Sequence, residues 1–383
     1  MLRRVGLRIS RFATRAASTF KASDLTVEIN QSPAVKPESA DNLPFGAVFT
    51  DHMLEIDWTA ENGWGTPEIK PFQNLSLHPA ASCLHYAIEL FEGMKAYKRH
   101  DGKVVMFRPD RNMARMHSSA VRSALPEFDQ EEMQKCIQKL VDLERDWIPD
   151  SKVASLYIRP TMIGTEPTLG VSPPKFAKCF VILCPVGPYF ATGGFNPVSL
   201  VADPSVVRAW DGGSGNFKMG ANYAPTIHPH MEAMKKGHQQ ILWLYGDEHY
   251  ITEVGTMNLL IYWTNENGEE ELVTPPIEQG VILPGVTRDS LLTLAREWNE
   301  FKVTERAVTM KELVDALDQG RVKEVFGAGT ACVVCPVNKV TYGDRVLEIP
   351  TMDNGAPLAT RFLNTLNDIQ YGNSSRDGWQ VIF

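Results

Sequence analysis

Hydrophobic and polar residues alternate in patterns that predict helices and strands along most of the chain. The stretch "DQEEMQKCIQKLVDLERDWIP", residues 129–149, predicts a helix with one apolar face, because its apolar residues recur every three or four positions. We expect Asp129 to cap this helix, with Glu132 forming a capping box three residues later. The apolar stripe consists of Met133, Cys136, Ile137 and Leu140.

A second helix is predicted in "TRDSLLTLAREWNEF", residues 287–301, with Thr287 as its N-cap. Its apolar face consists of Leu291, Leu294, Ala295 and Trp298. Short apolar runs rich in β-branched and aromatic residues predict buried strands. These runs are "KVASLYIRP" (152–160), "KCFVILCPV" (178–186), "VSLVA" (198–202), "QQILWLY" (239–245) and "NLLIYWT" (258–264).

A segment rich in proline and glycine divides these elements. "PVGPYFATGGFNPV", residues 185–198, contains three prolines and three glycines and predicts an interdomain linker. Because strands and helices alternate without strict β-α-β regularity, we expect a mixed α/β (α+β) fold. The predicted organisation is a smaller N-terminal domain over 21–185, a linker over 186–198 and a larger C-terminal domain over 199–383.

The first twenty residues differ from the rest of the chain. They contain five arginines and serine, and no acidic residue precedes Asp24. Apolar residues recur at helical spacing opposite most of the arginines. This pattern is typical of a mitochondrial transit peptide over residues 1–20, and the alternative is a basic tail without a targeting role.

Charge and hydropathy exclude other classes of protein. The chain has 383 residues and a net charge of −8, which argues against a nucleic-acid-binding protein because such proteins need a basic face. It has no apolar run long enough to cross a bilayer, so we expect no membrane span. Six cysteines in a chain of this length, with a predicted matrix destination, do not suggest a disulfide framework.

One C-x-x-C motif, Cys332 and Cys335 in "GTACVVCP", allows three interpretations. The pair could be half of a zinc site, a redox-active dithiol, or two small apolar residues beside other chemistry. The other cysteines offer no second closely spaced pair, and the sequence has no H-E-x-x-H, so we predict no metal site.

Two segments could bind a phosphate group. "LPGVTRDSLL" leads from a Pro-Gly turn into the predicted helix at Val286 and Thr287, where backbone N–H groups favour anions. "GAGT" places the hydroxyl of Thr330 after two glycines. Its Gly-x-Gly follows a predicted strand, but Cys332 occupies the sixth position of the dinucleotide pattern, which argues against a Rossmann site.

Lys218 is the candidate for covalent chemistry. It stands in "DGGSGNFKMGANYAP", among glycine, asparagine and alanine, where small neighbours would let a ligand approach its amine. A lysine that forms Schiff bases needs a pKa lowered by such an environment. A solvated surface lysine is the alternative interpretation.

Four motifs in this order, "FKMGANY", "ITEVGTMNLL", "LPGVTRDSLL" and "GTACVVCP", resemble those of branched-chain amino-acid aminotransferases. The resemblance extends upstream through "FGAVFTDHM", "LHYAIELFEGMKAY", "FRPDRNMARM" and "LYIRP" and covers the chain after the leader. That family consists of fold type IV enzymes that use pyridoxal 5'-phosphate (PLP). The resemblance implies that the cofactor lies between the two domains, and together with the leader it implies a mitochondrial matrix form.

The resemblance implies a role for each cofactor residue. Lys218 would hold PLP covalently and shuttle a proton as general base and then general acid. Glu253 would pair with the pyridine nitrogen, and Tyr223 would hydrogen-bond the phenolic oxygen of the ring. The implied phosphate contacts are Arg115, Val286, Thr287 and Thr330, and Thr256 would be a further contact near the cofactor.

The resemblance also implies an apolar pocket for leucine, isoleucine or valine. Its implied walls are Phe45, Phe91, Tyr157, Tyr189, Thr256 and Ala331, with Tyr86 and Val171 contributed by the second subunit of a homodimer. Arg159 would let the same pocket accept the second carboxylate of glutamate or 2-oxoglutarate. Cys332 and Cys335 would form a regulatory, redox-sensitive dithiol.

Two alternatives stay open at this stage. A D-amino-acid aminotransferase or an aminodeoxychorismate lyase shares the fold, although "LHYAIELFEG" and "LYIRP" favour the branched-chain family. An answer from a different class is a non-enzymatic thiol-redox or zinc-binding protein built on the C-x-x-C motif.

Overall fold

The elements are taken from a computed structural model that describes residues 19–37, 39, 43–187 and 195–383. The transit-peptide prediction falls on residues 1–20 and lies almost entirely outside this range. The helices are α1 Ser82–Tyr86, α2 Pro109–Arg122, α3 Gln130–Leu143, α4 Ile227–Lys235, α5 Val286–Trp298, α6 Met310–Asp318 and α7 Pro357–Gln370.

The strands of the N-terminal half are β1 Thr26–Val27, β2 His52–Thr59, β3 Gly63–Trp64, β4 Glu68–Pro71, β5 Glu89–Phe91, β6 Met94–Lys98, β7 Val104–Phe107, β8 Ser155–Gly164 and β9 Phe176–Val186. Those of the C-terminal half are β10 Val198–Ala202, β11 Gln240–Tyr245, β12 Tyr250–Val254, β13 Met257–Thr264, β14 Glu270–Thr274, β15 Lys302–Glu305, β16 Val322–Gly329, β17 Val333–Tyr342, β18 Arg345–Glu348 and β19 Gln380–Ile382.

The first sheet has the strand order β1-β4-β2-β9-β8-β6-β7-β19, with β3 beside β2 and β5 beside β8. The helices α2 and α3 pack against it with their apolar faces, so that Met113 and Met116 of α2 and Ile137 of α3 join a core with Leu54 and Ile158. Its last strand, β19, comes from the end of the chain and pairs with β7. The predicted C-terminal domain, 199–383, therefore contains one strand that belongs to the first sheet.

The second sheet closes on itself. Its strand order is β12-β11-β10-β17-β16-β13-β14-β15, and β12 also pairs with β13, which closes a ring through β10, β11, β12, β13, β16 and β17. One core, with Leu200, Val254 and Leu259, includes Leu313 of α6. A separate core includes Leu291 of α5 and Phe362 of α7. The structure therefore has the mixed α/β fold that the sequence predicted.

Helix α3 confirms the predicted helix and its N-cap, but only half of its capping box. The Asp129 carboxylate accepts from the backbone N–H groups of Glu131 and Glu132. The Glu132 side chain does not turn back to Asp129. It accepts from the N–H of Ala22 at 2.7 Å and so ties the N-terminal arm to the helix.

Helix α5 begins two residues earlier than the predicted N-cap implies. Gly285 is its N-cap, so Thr287 lies inside the first turn, where it is 5% exposed. A Cβ at position 285 would collide with Asn258 Oδ1, so the N-cap position requires glycine. Val286 and Thr287 therefore both lie in the first turn of the helix, where backbone N–H groups have no acceptor within the helix.

The two sheets meet where β5 runs beside the segment that carries Lys218. The N–H of Phe91 donates to the carbonyl of Lys218 at 3.0 Å, and Leu90 forms an isolated bridge with Met219. The chain passes from the first sheet to the second between Val186 and Val198, across the segment predicted as the linker. Residues 188–194 of that segment lie outside the described ranges.

Candidate active site

A cavity of about 390 Å³ lies at the junction of the two sheets. Residues that the sequence predicted as cofactor or substrate contacts and that line this cavity are Phe45, Phe91, Arg115, Tyr157, Arg159, Lys218, Tyr223, Thr256, Val286, Thr287, Thr330 and Ala331. They come from both halves of the chain, so the fold brings together positions up to 286 residues apart (331 minus 45).

Lys218 is held at the cavity by its own loop. The Asn222 side chain donates to the carbonyls of Ser214 at 2.7 Å and Phe217 at 2.9 Å, which closes the loop around the lysine. The backbone N–H of Lys218 donates to Ser119 Oγ of α2 at 2.9 Å. These bonds fix the backbone on both sides, so the side chain projects into the cavity rather than into solvent.

The amine of Lys218 has an aromatic surrounding. Its Nζ lies 3.2 Å from the hydroxyl of Tyr223 and 4.5 Å from the ring centroid of Phe91. The rings of Phe91 and Tyr223 meet edge to face, 4.8 Å apart. The predicted nucleophile and the predicted phenol are therefore neighbours, and a substrate reaching one would contact the other.

Arg115 is oriented by Glu92, which the sequence analysis did not identify. Glu92 is fully buried and accepts from Arg115 Nε at 2.7 Å and Nη2 at 2.9 Å. The carbonyl of Pro284 accepts from Nη1 at 3.1 Å. These bonds use three of the five N–H hydrogens of the guanidinium and leave one more on each of Nη1 and Nη2 for an anion.

The buried Glu92–Arg115 pair stays charged. Burial favours the neutral form of Glu92, but the charge of Arg115 and its hydrogen bonds keep the pKa of this carboxyl below its ordinary value. Asn112 adds a hydrogen bond to Glu92 at 2.8 Å. Arg115 lies in the cavity beside the N-terminus of α5, so a guanidinium and a helix N-terminus together provide an anion site there.

Glu253 lies beneath the cavity and not in its wall. Its Oε1 accepts from the N–H of Leu283 at 2.8 Å and from Asn258 Nδ2 at 3.2 Å. Its Oε2 lies 3.1 Å from Nη1 of Arg208. Burial raises the pKa of Glu253 above its ordinary value, even though Arg208 and the Leu283 N–H act in the opposite direction.

The aromatic wall is built on β8. Phe45 meets the ring of Tyr157 edge to face at 4.9 Å, and Arg159 donates to the Tyr157 hydroxyl at 3.0 Å. The Arg159 guanidinium lies 4.8 Å from the Phe91 ring centroid. Its Nε is buried and has no hydrogen-bond partner among the described atoms, so it could serve a ligand carboxylate.

Some predicted substrate residues do not line this cavity. Tyr86 is 38% exposed and donates to the carbonyl of Leu169, and Val171 is 79% exposed. Both lie on the surface of this chain and not in its own cavity. Tyr189 lies outside the described residues.

The sequence analysis missed several lining residues: Gly93, Asn258, Leu283, Gly285, Ala328 and Gly329. Gly93 had a detectable signal, because it stands in "LFEGMKAY", one of the resembling motifs. A Cβ at this position would collide with the Tyr157 hydroxyl, so the glycine makes room for that ring. Asn258 reaches the site through the pairing of β13 with β12, which places it opposite Glu253.

The turn between β16 and β17 carries Thr330, Ala331 and Cys332. Val333 follows it with φ of 62°, a left-handed conformation that is strained for a β-branched residue. Lys95 Nζ donates to the carbonyl of Ala331 at 2.9 Å and so holds the turn from below. Burial lowers the pKa of Lys95 to about 8.

The C-x-x-C cysteines are not joined by a disulfide in this structure. Cys335 is buried, while Cys332 is partly exposed, with its Sγ 3.0 Å from Met257 Sδ. Burial raises the pKa of Cys332 to about 12 and also raises the pKa of Cys335.

No group of three or more His, Cys, Asp or Glu side chains is arranged to hold a metal ion within the ranges that the structure describes. The same ranges contain no helix that is long and apolar enough to cross a membrane.

Comparison with known proteins agrees with this geometry. A model of the amino-transferase class IV family matches residues 89–340, which contain Lys218, Glu253 and both halves of the anion site. The chain belongs to the amino-transferase class IV family. It is 56% identical over 365 residues to the mitochondrial branched-chain-amino-acid aminotransferase of Rattus norvegicus, covering 95% of this chain and 92% of that protein.

Two other similarities cover most of the chain. The cytosolic branched-chain-amino-acid aminotransferase of Mus musculus is 57% identical over 371 residues, covering 97% of this chain and 95% of that protein. A solved branched-chain amino acid aminotransferase from Thermobaculum terrenum, in its PLP form, superimposes with a TM-score of 0.69 at 21% identity. That alignment covers 87% of this chain and 98% of the solved one, and it shows that the two chains share a fold.

Proposed function

We propose that this protein is a branched-chain-amino-acid aminotransferase. It moves the amino group of leucine, isoleucine or valine reversibly to 2-oxoglutarate, giving a branched 2-oxo acid and glutamate in two half-reactions. The observation that carries this proposal is the convergence, in one cavity, of the Lys218–Tyr223 pair, an anion site and an aromatic wall with an arginine. The full-length relatives that carry this activity in their names support it.

The residues of the cavity fit PLP as the cofactor. Arg115 with the first N–H groups of α5 and the Thr287 and Thr330 hydroxyls would bind a phosphate, because they combine a charge-assisted donor pair with a helix N-terminus. Glu253 would hold the pyridine nitrogen, and Tyr223 the phenolic oxygen. When bound, PLP supplies a ring that takes up negative charge from the substrate Cα.

Lys218 is the residue that moves the proton. Its amine would take the proton from the Cα of the amino acid as general base and deliver it to the cofactor as general acid, and the second half-reaction would run the same transfer in reverse. The hydroxyl of Tyr223 orients this amine from 3.2 Å, and Phe91 shields it from water on another side. The loop bonds of Asn222 keep the amine within reach of the same point in both half-reactions.

The aromatic wall would provide the substrate specificity. Phe45, Phe91 and Tyr157 enclose an apolar space that suits a branched aliphatic side chain. Arg159 would bind the distal carboxylate of glutamate or 2-oxoglutarate with the N–H groups that it does not give to Tyr157. One pocket would therefore accept both kinds of substrate, since each half-reaction uses a different part of its wall. Thr256 and Ala331 complete the lining, and Tyr189 is assigned to it from the sequence alone.

We propose that the active unit is a homodimer. Tyr86 and Val171 lie exposed on this chain, and the hydrogen bond from Tyr86 to Leu169 holds their two loops together. Leu84 and Leu169 add exposed apolar surface, at 59% and 62%. Such a patch is typical of an interface, and it would place Tyr86 and Val171 against the cavity of the partner subunit.

We also propose a two-domain organisation and a mitochondrial matrix location. The domains are residues 21–185 and 199–383 joined by 186–198, with the cofactor between them. The location rests on the arginine-rich, acid-free residues 1–20. Import of the full chain, but not of one lacking residues 1–20, into isolated mitochondria is the expected result, and equal import of both would contradict it.

The absorption spectrum of the purified protein tests the enzymatic proposal. A yellow protein whose spectrum changes on addition of L-leucine and is restored by 2-oxoglutarate is the expected result. Borohydride should then fix the cofactor on the peptide that contains Lys218. A colourless protein, or cofactor fixed on another lysine, would overturn the proposal, and the colourless outcome would favour a non-enzymatic thiol protein.

A further inference from the structure

Arg208 is a buried arginine that contacts Glu253, and no sequence motif predicted this contact. It lies in the loop that follows β10, and its Nη1 is 3.1 Å from Glu253 Oε2, with both side chains only 3% exposed. Its guanidinium carbon lies 5.9 Å from the ring centroid of Tyr223, and Nη1 points to the carbonyl of Gly215 at 3.5 Å. Arg208 therefore lies behind both residues that would hold the cofactor ring.

The surroundings of Glu253 leave room for one more donor. Its Oε1 accepts from the Leu283 N–H and from Asn258 Nδ2, and its Oε2 forms an ion pair with Arg208. A carboxylate has about four acceptor positions, and both of these hydrogen bonds end on Oε1, so Oε2 can still accept from a pyridine N–H. The carboxylate is thus fixed in direction by two hydrogen-bond donors and one ion pair, which come from three different segments.

Charge around Glu253 is dominated by Arg208. The cationic groups that act on this carboxylate are, in decreasing order, Arg208, Lys218 and Arg115. Burial is the largest influence and favours the protonated acid, and Arg208 is the largest opposing influence from a side chain. Arginine stays charged at every physiological pH, so this influence does not titrate away.

We propose that Arg208 is a positioning residue that keeps the shared proton on the pyridine nitrogen of the cofactor and off Glu253. The proposal rests on the proposed function. A proton shared by two bases lies on the one that binds it more strongly, and a fixed positive charge 3.1 Å from Glu253 weakens proton binding there. No oxidation or group transfer is involved, because only the position of one proton changes.

The consequence is chemical. A protonated ring nitrogen withdraws electrons from the substrate Cα, whereas a neutral nitrogen does so much less. Removing Arg208 should therefore slow the proton transfer at Lys218 without removing any group that touches the substrate. The effect of losing Arg208 should differ from that of losing Arg159 or Arg115, because loss of Arg159 or Arg115 should affect substrate or phosphate binding directly.

The test is ¹⁵N NMR of the full-length enzyme loaded with PLP that carries ¹⁵N in its ring. In the wild type we expect a ring-nitrogen shift typical of the protonated form at neutral pH. In Arg208→Met the shift should move to that of the unprotonated form, and kcat for leucine should fall by about 10- to 100-fold. The KM should change by less than about threefold, and Arg208→Lys should restore most of the protonated signal.

Arg108→Met is the matched control, since Arg108 is also buried and paired, with Asp289 at 2.7 Å, but lies away from Glu253. It should keep the wild-type shift. If Arg208→Met does not fold while the control does, Arg208→Gln takes its place, and the wild-type spectrum alone still tests the proposal. An unprotonated ring nitrogen in the wild type, or a ring nitrogen that stays protonated in the position-208 variant, would overturn it. Failure to bind PLP would instead overturn the proposed function, so the two failures are distinct.

Discussion

The amine of Lys218 lies 3.2 Å from the hydroxyl of Tyr223, and the two residues come from one closed loop that packs against the other half of the molecule. This short separation keeps a base and a hydrogen-bond donor at one point of the cavity. The predictions below follow from that arrangement and from the buried charges that support it.

Lys218→Ala should lose transamination almost completely, because no other described lysine lines the cavity. We expect the rate to fall by at least about 10³-fold, since the variant loses both the covalent contact and the general base. The measurement is glutamate formation from leucine and 2-oxoglutarate. Lys236→Ala, at an exposed position, is the control and should match the wild type. Substantial activity in Lys218→Ala would remove the lysine from the mechanism.

Glu92→Ala should both destabilise the protein and weaken cofactor binding. The substitution leaves the buried guanidinium of Arg115 unpaired, which costs about 3–5 kcal/mol in comparable cases. Urea unfolding and the dissociation constant for PLP measure the two effects. Glu305→Ala breaks the ion pair with Arg288 at a more exposed carboxylate and should cost less. Unchanged cofactor binding in Glu92→Ala would mean that Arg115 does not depend on Glu92 for its orientation.

Lys95 should make the stability of the protein depend on pH in the alkaline range. Its folded pKa of about 8 lies below the ordinary value of 10.5, so between these values the unfolded chain binds more protons and stability rises with pH. Below about pH 8 the full cost of the buried charge is present, about 3 kcal/mol. Lys95→Met should lack this rise when urea unfolding is followed from about pH 7 to about pH 10. A parallel rise in the variant would assign the effect to another group.

Cys332→Ser and Cys335→Ser should protect the enzyme from inactivation by peroxide if the pair is a redox switch. Because burial raises the pKa of Cys332 to about 12, little thiolate exists at neutral pH, and inactivation should be slow there and faster as pH rises. The measurement is residual activity after timed exposure, with Cys83→Ser as the control. Equal loss of activity in wild type and both variants would exclude the switch.

The site residues could be predicted from the sequence where a motif is local. Lys218 and Tyr223 are five residues apart, and Val286 and Thr287 open one helix, so their proximity follows from the chain itself. The need for glycine at the N-cap of α5 could not be predicted, because it depends on the collision that a side chain at position 285 would make with Asn258 on another strand.

Ion pairs between residues far apart in the chain could not be predicted from the sequence. Glu92 meets Arg115 across 23 residues, and Arg208 meets Glu253 across 45, and neither spacing corresponds to a helical or strand period. The same holds for β19, which crosses back to the first sheet by pairing with β7. Tyr86 and Val171, which were assigned from the sequence to the pocket of a second subunit, lie exposed on this chain and do not line its own cavity.

The activity of the purified enzyme on paired L- and D-amino acids, with chiral analysis of the products, tests the account most directly. L-leucine, L-isoleucine and L-valine should each give their 2-oxo acid with formation of L-glutamate from 2-oxoglutarate, while the D-forms should react at a negligible rate. Activity on D-amino acids alone, or formation of a lyase product without transfer of the amino group, would contradict the account.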